Sequence, residues 1–254
     1  MFKTKMLLLL SLLLIVPIEV VIAENAAPSA TELLAKADEY RNFKGESYTF
    51  EVKLTSKEPG QEDKIFLLKA EILNPHTFLI IYADPISERG KALLMDQNNL
   101  WFHSPTSSKP IRITPQQRLL GEASNGDVAS TDFSGEYEPS YLKQETVDNI
   151  PCHVLELAAK PDTLATYNKL KLWIRVDNAR PYKAEFYAVS GKLLKTAYYT
   201  RYEKLAGTGK EQLMSIEIVN PLSADKKTVM EYANFAATEL PISRFNTSAL
   251  DKLR

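Results

Sequence analysis

From Tyr48 onward the dominant signal is a period of two. Tyr48, Phe50, Val52 and Leu54 alternate with Thr49, Glu51 and Lys53, the pattern of a strand with one buried and one wet face. Phe66, Leu68, Ala70 and Ile72 repeat it over Lys64–Leu73, while Thr77–Tyr82 is apolar almost throughout, which predicts a strand covered on both sides. Further strands are predicted at Lys91–Met95, Leu100–His103, Ile111–Thr114, Tyr141–Val147, Cys152–Ala158, Lys169–Val176, Tyr182–Val189, Leu193–Tyr202, Leu213–Val219 and Thr228–Tyr232. Turn chemistry separates them, as in Glu58-Pro59-Gly60, Asn74-Pro75, Asp148-Asn149 and Ser190-Gly191. About a dozen antiparallel strands in a meander do not lie flat; they curl into a partly or wholly closed barrel or fold over as a sandwich.

Two stretches depart from this period. Ser29 and Glu32 fit a capping box, and Leu33, Leu34, Ala37 and Tyr40 then share one side of a short helix ending near Arg41. Between Pro115 and Pro139 the alternation stops. A short helix is predicted over Gln116–Leu120, followed by a loop rich in Gly, Ser, Asp and Asn; loops of this length are functional or disordered.

The first residues read as an export signal. Lys3 and Lys5 precede the apolar run Met6–Val16, and Val21-Ile22-Ala23 suits cleavage before Glu24, so residues 1–23 are read as a signal peptide and 24–254 as one domain. Pro17 and Glu19 interrupt the run short of the ~20 residues of a spanning helix, with an uncleaved anchor as the alternative. No cysteine follows the run, so no lipid anchor is expected, and the mature chain is expected to work outside the cytoplasm. Lys and Arg number 31 against 32 Asp and Glu, a formal charge of -1, which offers no basic field for nucleic acid. Cys152, the single cysteine, cannot form an internal disulfide and is read as a small hydrophobe.

Catalytic and cofactor motifs are missing. There is no H-E-x-x-H, no C-x-x-C pair and no nucleophile elbow, and His76, His103 and His153 lack metal-ligand spacing. Gly207-Thr208-Gly209-Lys210 reads as a hairpin loop and not as a phosphate loop. Asp127, Asp132, Glu136 and Glu138 do not match a calcium loop and read as a solvated acidic stretch. No catalytic residue, metal or cofactor is assigned.

Two blocks carry a family resemblance. Asp84-Pro85 through Arg89-Gly90, Ala92-Leu93-Leu94, Asn99-Leu100-Trp101-Phe102, Pro105 and Ile111-Arg112-Ile113 form the first, with Gly121, Ser124, Asp127 and Asp132-Phe133 downstream. The second is Lys171–Val176, Pro181–Tyr187 and Ser190–Lys195. Together, over roughly Ala30 to Phe245, they resemble the outer-membrane lipoprotein-sorting protein family, which groups with the LolA and LolB carriers and the lipid-sensing domain of RseB-type regulators. The resemblance implies a mainly β fold with short helices: a curved, incomplete antiparallel barrel with a helical lid over an apolar interior, and no catalytic machinery. It implies a soluble, monomeric periplasmic carrier that shelters the acyl chains of a lipoprotein or lipid, with a membrane transporter or outer-membrane acceptor as partner. The alternative is a lipid-binding accessory or sensor of an RND-type or ABC exporter or of a stress pathway; an enzyme with scattered catalytic residues is the third reading. On this reading Phe50, Val52, Phe66, Leu68, Ile80, Tyr82, Leu94, Trp101 and Trp173 are assigned to the inner face. Leu119 and Leu120 are assigned to the lid, and Arg89 and Arg112 to the entrance.

Overall fold

The computed structural model describes residues 27–41, 47–107, 109–129, 132–205 and 209–253. The signal-peptide reading over residues 1–23 lies outside them, as do Gly207 and Thr208 of the glycine-bearing loop. The described residues begin with helix α1 (Ala30–Asp38) and continue through β1 (Tyr48–Lys57), β2 (Lys64–Asn74), β3 (Thr77–Asp84), β4 (Ala92–Asp96), β5 (Asn99–His103) and β6 (Ile111–Ile113). A central segment holds β7 (Arg118–Leu120), β8 (Ala123–Ser124), α2 (Asn125–Ala129) and α3 (Phe133–Glu136). Then come β9 (Tyr137–Val147), β10 (Ile150–Ala159), β11 (Lys169–Arg175), β12 (Pro181–Tyr187), β13 (Leu193–Lys204), β14 (Glu211–Asn220) and β15 (Ser223–Ala237). A 3-10 turn (Ile242–Arg244) and helix α4 (Thr247–Leu250) follow.

Local chemistry explains several boundaries. The Ser29 hydroxyl accepts from the Glu32 amide at 3.3 Å and starts α1. Asp148 and Asn149, at φ 49° and 64°, make the tight turn that joins β9 to β10 with the twist a hairpin needs. The helix expected over Gln116–Leu120 is instead the first strand of the β7–β8 hairpin. The carbonyls of Pro115 and Gln117 accept from the Gly126 and Asn125 amides at 2.9 Å, and Gly121, at φ 55°, reverses the chain. Five residues make little more than one helical turn, too little to form without support. The helices lie just downstream, where a loop was expected: the Asp127 carboxylate accepts from the Ser124 amide at 2.7 Å to cap α2, and Asp132 accepts from the Gly135 amide at 3.2 Å to cap α3.

Among the described residues thirteen strands form one antiparallel sheet in the order β6-β5-β4-β3-β2-β1-β15-β14-β13-β12-β11-β10-β9, apart from the β7–β8 hairpin. It is two meanders joined along β1 and β15, which pair from Tyr48 opposite Ala237 to Lys57 opposite Lys227. β6 and β9 are the two edges and do not pair with each other, so the sheet is an open half-barrel. β6 and β9 lie at opposite edges, so the chain between them, which carries the β7–β8 hairpin, α2 and α3, must cross the sheet. Leu120, Ala123, Val128 and Phe133 of this segment lie against the inner face.

Cross-strand register assigns each side chain to a face. Ala70, Ile80, Leu93 and Phe102 lie in one row on the inner face, while Glu71, Leu79, Leu94, Trp101 and Arg112 form the adjacent row on the outer face. Both faces of β3 are therefore covered. The outer row packs with Phe245 and Leu250 of the C-terminal segment, and Arg244 donates to both carboxylate oxygens of Glu71 at 2.7 Å. Trp173 is also on the outer side, with Cys152 and Val154; its indole donates to Glu145 at 2.6 Å, and the Lys183 ammonium lies 4.6 Å from its ring centroid. Leu94, Trp101 and Trp173 are thus separated from the other six residues assigned to the inner face, because a one-residue step along a strand reverses the side. Burial raises the Cys152 thiol to about 11, in keeping with its place in this small apolar cluster.

The outer cluster serves stability. Leu94→Ala is expected to destabilise the protein by about 2–5 kcal/mol, read as a lowered urea midpoint with an unchanged m-value.

Candidate functional site

The inner face is apolar over most of its strands, and its side chains belong to one contiguous buried cluster. Strand residues such as Phe50, Leu68, Ile80, Leu155, Phe186 and Ile216 meet Leu34 and Ala37 of α1 and Leu120, Val128 and Phe133 of the crossing segment. The crossing segment is therefore a cover. Its hairpin rests on the seam between the two meanders: the Glu122 amide donates to Thr228 Oγ1 at 2.8 Å, and a Cβ on Gly121 would fall 2.3 Å from Ser56 Oγ and 2.4 Å from Thr228 Oγ1. Only glycine meets both the close approach and the positive φ here.

Farther along, polar pairs hold the cover. Lys195 sits on β13 in an inner row whose other members, Leu157, Leu170 and Phe186, are apolar, and its ammonium pairs with Asp127 of α2. Both side chains are over nine-tenths buried. Asp127 also accepts from the Ser124 hydroxyl at 2.9 Å and the Tyr167 hydroxyl at 3.0 Å, and Lys195 reaches the Glu122 carbonyl at 3.4 Å. Burial lowers the Lys195 ammonium from its ordinary value although Asp127 pulls the other way, so desolvation outweighs the attraction. A second latch joins α1 to α3: Asp38 accepts from the Ser134 amide at 2.7 Å, its hydroxyl at 2.6 Å and the Phe133 amide at 3.3 Å. Burial holds the Asp38 carboxyl above its ordinary 3.8, with Arg41 opposing. The Arg41 guanidinium lies 3.8 Å from the Phe133 ring centroid, beneath the cover.

Beneath the cover two voids remain. One is bordered by Arg41, Asp127, Phe133, Phe186, Tyr199 and Met230, the other by Arg41, Phe50, Val128, Leu213, Tyr232 and Phe235. Each offers about 20 Å³, room for a single water. A cleft of about 240 Å³ opens beside them where the β2–β3 and β4–β5 turns face the β10–β11 connection, with Phe78, Met95, Leu164, Gly126 and Thr166 in its walls.

The residues assigned from sequence divide as follows. Phe50, Val52, Leu68, Ile80 and Tyr82 are buried in the inner cluster and Phe66 packs against it, but only Phe50 borders a void. Leu120 is buried under the cover and Leu119 half-buried beside it, both in a strand hairpin. Arg89 donates to the Ala83 carbonyl at 3.1 Å and faces solvent, and Arg112 sits in the outer row; neither borders the voids or the cleft. The acidic stretch is not uniformly solvated, since Asp127 is an interior ion-pair partner and Asp132 a helix cap. Among the described residues no three His, Cys, Asp or Glu side chains are grouped to hold a metal. Sequence reasoning missed Lys195, Asp127, Asp38 and Arg41. Two signals were available: Lys195 shares its side of the alternation with Ala197 and Tyr199, and Ser124-x-x-Asp127 is a capping box.

The comparisons agree with this architecture. A family model described as "Uncharacterized protein" matches residues 75–252. No curated protein matches the chain. Among solved structures, a DUF1329 family protein from Desulfovibrio piger is 22% identical, with 87% of this chain and 97% of the other covered and a TM-score of 0.73. A putative outer membrane lipoprotein-sorting protein domain from Vibrio parahaemolyticus is also 22% identical, covering 87% and 98% with a TM-score of 0.72. At that identity both speak for the fold alone. A LolA superfamily protein from Nitrosomonas europaea is 35% identical over 87% of this chain and 99% of its own, with a TM-score of 0.80. With the open half-barrel, its covered apolar face and this likeness along nearly the whole of that relative, the chain belongs to the LolA superfamily.

Proposed function

We propose that this protein is a periplasmic carrier that shelters the acyl chains of a lipid or lipoprotein between the inner face of its sheet and the cover, and delivers them to an outer-membrane acceptor. One observation carries the reading: the apolar inner face lies beneath α1 and a crossing segment, and the crossing segment is attached to the sheet through contacts to side chains and not through strand pairing. Such a segment can leave without breaking the sheet. Each void has room for only a water, so on this reading the covered arrangement is the closed form and a cargo chain takes the places of Leu120, Val128 and Phe133. Entry is through the cleft walled by Phe78, Met95 and Leu164.

The exchange is close to balanced by construction. Burying about 14 methylenes at about 0.8 kcal/mol each yields a gross gain of about 11 kcal/mol, before the costs of ordering and association. Against it stand the apolar contacts that the cover surrenders when it lifts. A small difference between the two leaves both capture and release accessible without an external energy source. Buried ion pairs suit such a latch, because their desolvation cost keeps their net contribution small while their geometry fixes one closed position.

Two measurements test this. Organic extracts of protein purified from the periplasm are expected to contain acyl lipid or acylated peptide by mass spectrometry. The delipidated protein is expected to retain a fluorescent fatty acid, and Ala197→Trp, which fills the floor beneath the cover, to weaken retention at least tenfold, while Trp101→Ala on the outer face leaves it unchanged. A wild type that retains no acyl probe refutes the reading. The Asp38 latch also predicts a pH dependence. Its folded carboxyl titrates above the unfolded 3.8, so its stabilising contribution is full below that pH and is lost as pH rises through the raised value. Relative to Asp38→Asn, the wild type is expected to lose stability across that window in urea titrations and to show a constant difference below it.

A further inference from the structure

The partners of Lys195 specify the head of the cargo. Its acceptors, the Asp127 carboxylate and the Glu122 carbonyl, both belong to the cover; among the described residues, the sheet and the β10–β11 connection offer it ring faces, Phe186 at 5.6 Å and Tyr167 at 4.9 Å from the ammonium. When the cover lifts, Asp127 leaves with it. An ammonium then remains on an inner row made with Leu157, Leu170 and Phe186. A neutral hydrocarbon laid over that row would bury a cation without a counter-charge, a strongly unfavourable arrangement. An amphiphile with an acid group removes the conflict, because its oxygens can occupy the position that the Asp127 carboxylate vacates, while its chain lies over Ala197, Tyr199, Ile216 and Met230.

Building on the carrier reading, we infer that the cargo is an anionic amphiphile whose carboxylate or phosphate replaces Asp127 as the counter-ion of Lys195. Asp127 is then an internal mimic of the cargo's head, and the closed form is the protein bound to its own acid group. Tyr167 and Ser124 already converge on that group, with hydroxyls at 3.0 and 2.9 Å from its oxygens. Tyr167 stays with the sheet side, on the β10–β11 connection, and donates to the incoming acid as it does to Asp127. Arg41 borders both voids and adds a second positive charge to the same interior. The assignment favours free acidic lipids over a triacylated protein terminus, whose acyl end carries no acid.

The test compares three probes of equal chain length on the delipidated protein: palmitic acid, methyl palmitate and palmitoyl-lysophosphatidic acid, by competition with a fluorescent acyl probe. At least one acid is expected to bind about tenfold or more tightly than the ester, the effect of a hydrogen-bonded charge pair. A preference for palmitate identifies a fatty acid source and a preference for the phosphate a phospholipid source. Because Lys195→Met alone strands Asp127, the paired variant Lys195→Met with Asp127→Leu carries the decision; it removes both charges and is expected to keep its fold and its ester affinity while losing the preference for acids. Lys192→Met, on the exposed turn of the same hairpin, is expected to keep the preference. Equal affinity of wild type for all three probes, or a preference that survives the paired substitution, overturns the inference and leaves the carrier reading standing. Failure of all three to bind overturns both.

Discussion

An open sheet whose two edge strands are joined in the chain by one short segment is the constraint on which everything else depends. β1 and β15 join at the centre, so β6 and β9 fall at opposite rims, and the chain between them has to travel the width of the sheet. On the outer side that path would be contested by the C-terminal segment, which already packs over Leu79, Leu94 and Trp101. On the inner side it meets a curved apolar surface that water must not reach. One topological fact thus supplies both an apolar inner face and a segment that covers it.

How the closure is made follows from what each part can offer. The sheet's backbone is committed to its own ladders, so the cover cannot be attached by strand pairing and is attached through side chains and through one hairpin. The hairpin docks on Ser56 and Thr228, hydroxyls on the seam of the two meanders, and glycine at its tip permits the approach. Farther along, Asp127 and Asp38 bring acid groups into the interior from the helices, and both latches carry the electrostatic signature of burial. Interactions of this kind fix position better than they add stability. The two rims are protected in their own ways: β6 is three residues long, and β9 carries Pro139 and Lys143 with Leu142 bulged out of its ladder.

The strands were legible because alternation and turn chemistry are local. Every predicted strand is present, though β9 and β15 are several residues longer than their alternation suggested: Pro139 interrupts the first, and Ala233-Asn234 carries the second through a left-handed residue at φ 56°. The capping of α1 was equally plain. The central segment was not, since its hairpin is built from hydrogen bonds between Pro115, Gln117, Asn125 and Gly126, and no period records them. Leu94, Trp101 and Trp173 show a different limit. Apolar strand residues announce burial without announcing the face, and in a sheet covered on both sides only the register against neighbouring strands decides.

From the residues alone came the class of the molecule: a near-neutral, cysteine-poor, antiparallel β chain without a recognisable catalytic or metal-binding motif, read with an export signal at its start. These properties depend on composition and on spacings of a few residues, which a single sequence displays in full. Tertiary structure alone decided that the meanders join along β1 and β15, that Leu120, Val128 and Phe133 lie against the inner face, and that Lys195 meets Asp127 there. Those partners stand 68 positions apart, and a contact at such separation is set by the path of the whole chain, to which no local pattern is sensitive.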